Sequence, residues 1–197
     1  MRYITIEREY GSGGTKIARA LAARCEIPCY GQEILEKASE KLGVPPEEIR
    51  NYEEKATNSL LYSMYMVSQV QRGNWDMVSK EGKVFAEEQS AILEFAKQGS
   101  AVFIGHCASE ALREYRDVVR VYIHADADAK RERIGNDYGI PEREIGAVER
   151  KNNRRRASYY LANTQKKWED FRNYDVVLDS SRLGIERCVA ILSGIMQ

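Results

Sequence analysis

The sequence predicts an α/β domain in which a parallel sheet carries helices on both faces, and three observations predict it. Short β-branched runs alternate with stretches of helical periodicity, the order that yields right-handed crossovers and parallel strands. The run AVFIG at 101–105 is apolar without alternation, as suits a central strand covered on both sides. A glycine-rich turn, EYGSGG at 9–14, joins the first strand-like run to the first helix-like one.

Each element follows from local chemistry. Residues 3–7 form the first strand, with a short candidate at 27–30. VVRVYIH at 118–124 and YDVVLDS at 174–180 are β-branched and end in polar turns. A helix starting at Thr15 places Ile17, Ala20, Leu21 and Arg24 at helical spacing. A second covers 32–42 and stops at Gly43, a helix C-terminal signal. VPPEEIR at 44–50 restarts a helix, with proline first and glutamates in the opening turn. Asp126 reads as a helix N-cap. The last helix, 183–196, sets Ile185, Val189, Leu192 and Met196 on one face. The region 51–98 is a long helical insertion without a strand. Its piece SLLYSMYMVSQV reads as a packed helix, and an apolar face left exposed there would point to a homodimer.

Composition narrows the class. At 197 residues the chain suits one domain, 1–197, with a core of useful size. Hydrophobic content of 43% against 30% charged is that of a globular protein, and no apolar run approaches a membrane span, so a cytoplasmic protein with no membrane partner is expected. Cys25, Cys29, Cys107 and Cys188 form no C-x-x-C pair and read as reduced thiols. Formal net charge is zero, which disfavours nucleic acid as a partner. The charge is unevenly placed, however: 32–54 carries seven acids against three bases, while Arg150 to Arg156 holds five bases and no acid.

Between strand and helix, successive N–H groups can converge on an anion beside the positive end of the helix dipole. The turn therefore reads as a phosphate cradle, the alternative being a junction whose glycines serve packing. The full pattern for such a cradle is G-x-x-x-x-G-K-[ST]. With Gly13 as the second glycine, Arg8 stands at the first glycine position, Gly14 at the lysine and Thr15 at the Ser/Thr. Lys16 comes two residues late, on a helix turning about 100° per residue, which aims it elsewhere. Arg8 is the other cation near the turn. The candidate nucleotide-binding residues are Arg8, Gly11, Ser12, Gly13, Gly14, Thr15 and Lys16.

ITIEREYGSGGTKIARALA resembles the opening of the cytidylate kinase-like family, a P-loop nucleoside monophosphate kinase branch whose members also lack the usual lysine. PCYGQEILEKASEKLGV, EEQSAILEFAKQGSAVFIG, VYIHADADAKRERI, RRRASYYLANTQKKW and NYDVVLDSSRLGIE resemble its later blocks, in order. The resemblance implies a P-loop three-layer fold of five parallel strands in order 2-3-1-4-5, with a helical lid at about 141–168. It also implies phosphoryl transfer from ATP, with Mg2+, to a nucleoside monophosphate, so nucleotides are the expected substrates. LDSSRLG falls where such kinases cradle adenine.

In that frame Arg154, Arg155 and Arg156 are the candidate catalytic residues, because phosphoryl transfer needs cations that close over the charge on the equatorial oxygens. A solvated basic helix or an RNA-contacting patch is the alternative. On the acceptor side the family has Tyr-Asp where this chain has Tyr30-Gly31, and Gly-Arg-Gly where it has Gly105-His106-Cys107. Tyr30 and His106 are the candidate acceptor-binding residues, although imidazole, with an ordinary pKa of about 6.5, holds an anion less firmly than guanidinium at neutral pH. No metal-binding carboxylate is evident after AVFIG, and no metal ligand is assigned. A catalytically impaired nucleotide-binding or regulatory protein on the same fold is the competing function.

Overall fold

A computed structural model describes residues 2–49 and 79–196. The apolar helical piece expected at 59–70 lies outside the described residues. β1 (Tyr3–Arg8) runs into the turn and α1 (Gly14–Arg24), followed by β2 (Cys29–Tyr30) and α2 (Gln32–Leu42). After the undescribed segment come α3 (Lys80–Ala96), β3 (Ala101–Ile104), α4 (Ala108–Ala111) and β4 (Val118–His124). The chain closes with α5 (Ala127–Tyr138), α6 (Glu142–Thr164), β5 (Val176–Asp179) and α7 (Ser180–Met196). The five strands are parallel in the order β2-β3-β1-β4-β5, as the resemblance implied. None of the described helices is long and apolar enough to cross a membrane.

Strand alternation divides the core. Ile4, Ile6, Val102, Ile104, Val121 and Ile123 pack with Ile17 and Leu21 of α1 and Val189 and Leu192 of α7. Tyr3 and Phe103 face the other way, against Ile34 of α2 and Ile92 of α3. The caps read from sequence are present: Asp126 Oδ1 accepts from Ala129 N at 2.8 Å, and Gly43 ends α2 in the left-handed region at φ 66°. All four cysteines are free thiols. The last helix starts three residues earlier than expected. Its first turn is continuous with β5, and Gly184 (φ 76°, ψ 162°) breaks it before the main helix begins.

The turn is tied to this last helix through one carbonyl. Ser12 O accepts from Ser180 Oγ at 2.5 Å and from Arg133 Nη1 at 3.0 Å, and Arg133 also donates to the Ser180 hydroxyl at 2.9 Å. Ser12 and Ser180 are both fully buried. Ser180→Ala removes one donor to Ser12 O and one acceptor for Arg133, without opening a large void. Such a loss costs about 1–3 kcal/mol, and a drop in Tm of several degrees, checked by thermal denaturation, is the expected outcome.

Candidate active site

The turn is built on close approaches within the chain. Gly13 caps α1 at φ 75°, where a Cβ would lie 2.6 Å from Ile185 Cδ1. At Gly14 a Cβ would lie 2.5 Å from Arg8 Cβ. These glycines therefore make room for the protein's own side chains, which supplies a packing reason alongside the phosphate reason given by the sequence. Ser12 Oγ donates to Glu9 O at 2.8 Å and accepts from Gly14 N at 3.3 Å. The N-cap position of α1 offers no side-chain cap. Helix N-terminal amides left without such a cap, at the positive end of the dipole, suit an anion.

Beside the start of α1 lies a cavity of about 300 Å3. It opens at the carboxyl ends of β1, β2 and β3, where open α/β sheets bind their ligands. Glu7 and Arg8 reach it from β1, Thr15 and Arg19 from α1, Ile104 to Cys107 from the end of β3, and Arg155, Arg156, Tyr159 and Tyr160 from α6. Five of the residues expected from sequence thus converge there: Arg8, Thr15, His106, Arg155 and Arg156.

Others are placed elsewhere. Lys16 Nζ is 2.7 Å from Asp137 Oδ1 on α5, mostly exposed and outside the cavity wall. Arg154 is exposed on the outer side of α6, because neighbouring helical positions diverge by about 100°. Tyr30 sits on the opposite face of the sheet from Cys29 and Ile104, stacked on Phe95 at 4.0 Å and 12°. Its chain neighbours Cys29 and Gly31 form the wall instead. Gly11, Ser12, Gly13 and Gly14 do not line the cavity. They shape the bend behind Thr15.

Side chains not singled out in the sequence complete the site. Glu7 is buried, accepts from Trp168 Nε1 at 3.0 Å, and has its carboxyl pKa raised, chiefly by desolvation and against the pull of Arg8. Arg156 is pushed below the ordinary guanidinium value, first by burial and then by the adjacent Arg8 charge. Arg156 Nη1 donates to Arg8 O at 2.8 Å, and its guanidinium lies over the Tyr10 ring at 5.6 Å. His106 and Cys107 both adopt left-handed backbone (φ 55° and 52°), unusual for residues with a Cβ. His106 Nδ1 is 3.2 Å from Glu88 Oε1, Tyr159 OH donates to the other oxygen of Glu88, and Gln89 Nε2 donates to His106 O at 2.9 Å. Glu88 is fully buried. Burial pushes the Cys29 thiol up to about 11, which makes it an inert wall at neutral pH. Among the described residues, no group of three or more His, Cys, Asp or Glu gathers as a metal cage.

This strand order, with a glycine turn leading into α1, is that of the P-loop kinases. The chain belongs to the cytidylate kinase-like family, whose model matches residues 3–182. It is 27% identical to a cytidylate kinase of Pyrobaculum calidifontis, across 97% of this chain and 90% of that one. A cytidylate kinase of Pyrobaculum arsenaticum is 25% identical over the same shares. Among solved structures, an uncharacterized protein from Eubacterium ventriosum superposes with a TM-score of 0.72 at 23% identity, covering 100% of this chain and 99% of that one. Shikimate kinase from Bacteroides thetaiotaomicron shares the fold at a TM-score of 0.54 and 14% identity, covering 99% and 98%.

The buried Glu7 gives the site a pH signature. Its folded pKa lies above its unfolded value, so the unfolded chain ionises first as pH rises, and this group's contribution to stability is lost through that window. Glu7→Gln keeps an oxygen for Trp168 Nε1 and removes the titration. In thermal melts from about pH 4.5 upward, wild-type Tm is expected to decline relative to the variant. Parallel curves would contradict the assignment.

Proposed function

We propose that this protein transfers a phosphoryl group from ATP to a nucleoside monophosphate-like acceptor. The observation that carries the reading is the cavity. Four guanidinium groups, Arg8, Arg19, Arg155 and Arg156, border one space beside the first turn of α1, opposed there by the carboxylates Glu7 and Glu33. Such a concentration of cations in a chain of zero net charge fits a ligand bearing several negative charges. The turn and the start of α1 hold the ATP phosphates. Arg155 and Arg156, carried on the lid helix α6, stabilise the charge spread over the transferred group, and arginine suits that task because its planar fork contacts two oxygens at once. His106, fixed by Glu88, faces the acceptor. The names of the Pyrobaculum relatives make cytidylate the first acceptor to test.

Mg2+ would arrive with ATP. The oxygen donors of the cavity wall include the Thr15 hydroxyl and the Glu7 and Glu33 carboxylates, which fits an ion that keeps water and phosphate oxygens among its ligands. When bound, the ion neutralises phosphate charge. The protein's own residues bind, orient and exclude water.

A second reading, nucleotide binding without transfer, draws on the place of Lys16, which is committed to Asp137. Coupled ADP release across a panel of nucleoside monophosphates separates the two. ADP formed with ATP and one monophosphate is the expected result. An ATP-induced rise in Tm with no ADP from any monophosphate would favour the second reading. Arg155→Ala is expected to lower kcat by about 100-fold or more with a smaller change in the KM for ATP. Arg154→Ala should stay within roughly twofold of wild type, since exposed substitutions away from the site do little.

A further inference from the structure

We infer that Arg8 is the cation serving the transferred phosphate, through a reciprocal exchange of residue types between positions 8 and 14. The inference rests on the phosphotransferase reading above. In the full cradle pattern, glycine stands first and lysine follows the second glycine. Here the cation and the glycine have changed places: arginine stands at 8 and glycine at 14.

The structure shows why the two changes go together. A Cβ at Gly14 would lie 2.5 Å from Arg8 Cβ and 2.8 Å from Arg8 Cγ, well inside van der Waals contact. Only one of these positions can carry a long side chain. The Arg8 stem therefore crosses the point from which the lysine stem would otherwise leave. Its guanidinium end is accommodated in the same way, since a Cβ at Gly105 would lie 2.7 Å from Arg8 Nη1. Two glycines from different elements thus clear a channel for one arginine, which borders the cavity together with Thr15, Arg155 and Arg156. Its backbone is held by Arg156 Nη1 on Arg8 O at 2.8 Å.

Lys16, the nearest lysine in sequence to the glycine pair, is taken by Asp137 at 2.7 Å. A guanidinium stays charged across the working pH range and can contact two phosphate oxygens together, so the exchange supplies the same charge as the lysine from the opposite side of the bend. The arginine touches both the end of β1 and the end of β3, and so lies between the donor side and the acceptor side of the cavity.

The test is a double-mutant cycle on the full chain. Arg8→Gly with Gly14→Lys restores G-x-x-x-x-G-K-T over 8–15. Arg8→Gly alone, and Arg8→Met, which retains the stem without the charge, are each expected to lower ADP formation by about 100-fold. Gly14→Lys alone is expected to be inactive with a lowered Tm, from crowding against the Arg8 stem. The double variant is expected to regain about tenfold or more over Arg8→Gly, a coupling only an exchange would produce. A folded double variant no faster than Arg8→Gly, or an Arg8→Met protein near wild-type rate, overturns the inference.

Binding separates this result from a failure of the function itself. If wild type forms no ADP with any monophosphate, the phosphotransferase reading falls, and Arg8 is judged by thermal shift. Wild type should then distinguish ATP from ADP by a shift that Arg8→Met abolishes. Equal shifts for ATP and ADP in wild type, or no shift with ATP, overturn the inference as well.

Discussion

The constraint on which the site depends is the crowding of like charges around a buried carboxylate. Arg8 and Arg156 approach closely enough that the charge of one depresses the pKa of the other, while desolvation raises the carboxyl pKa of Glu7 beside them. Left alone, such a cluster opposes folding, because desolvated charges cost more than a partial pairing returns. Three features hold it in place. Trp168 donates to Glu7, Arg156 donates to the Arg8 carbonyl, and the Tyr10 ring takes the face of Arg156. Four guanidinium groups border the cavity, and under the proposed function an incoming polyanion would relieve their charge. Binding and local stability are thereby coupled, as for any ligand that binds only the native state.

Much of the fold was legible because it is local. The β-branched runs at 118–124 and 101–105, the stop at Gly43 and the cap at Asp126 each depend on nearest neighbours in the chain. Reading the site required knowing where side chains point. Tyr30 shows the difficulty: the strand was anticipated, but two residues give too little alternation to reveal which face is which, and Phe95 from α3 decides it. Arg154 and Arg155 differ by one helical step, and only the docking of α6 shows which of them turns inward.

The residues that sequence reading passed over are those whose partners lie far along the chain. Glu7 looked like one more strand residue, yet its partner Trp168 is 161 positions away. Glu88 was not singled out in the sequence, yet it lies fully buried between His106 and Tyr159. One signal was present for both: an acidic residue set where an apolar one would continue the buried face. Zero net charge was equally uninformative about the cavity, because its wall carries four arginines against two acids, Glu7 and Glu33, and the other acids stand elsewhere.

The helix α6 gives the arrangement its mechanical sense. Asn153 Oδ1 accepts from Tyr10 N at 2.7 Å, Arg156 grips Arg8, and Tyr159 donates to Glu88, which in turn holds His106. One helix therefore touches the turn after β1 and, through Glu88, the strained loop after β3. A shift of α6 would alter both together. Backbone held in the left-handed region at His106 and Cys107 persists only where surrounding contacts over-determine it. Glu88 and Gln89 provide those contacts from α3. The conformation of the loop after β3 is thus held by α3 and α6 jointly, so a substitution at Glu88 or Tyr159 is felt at His106.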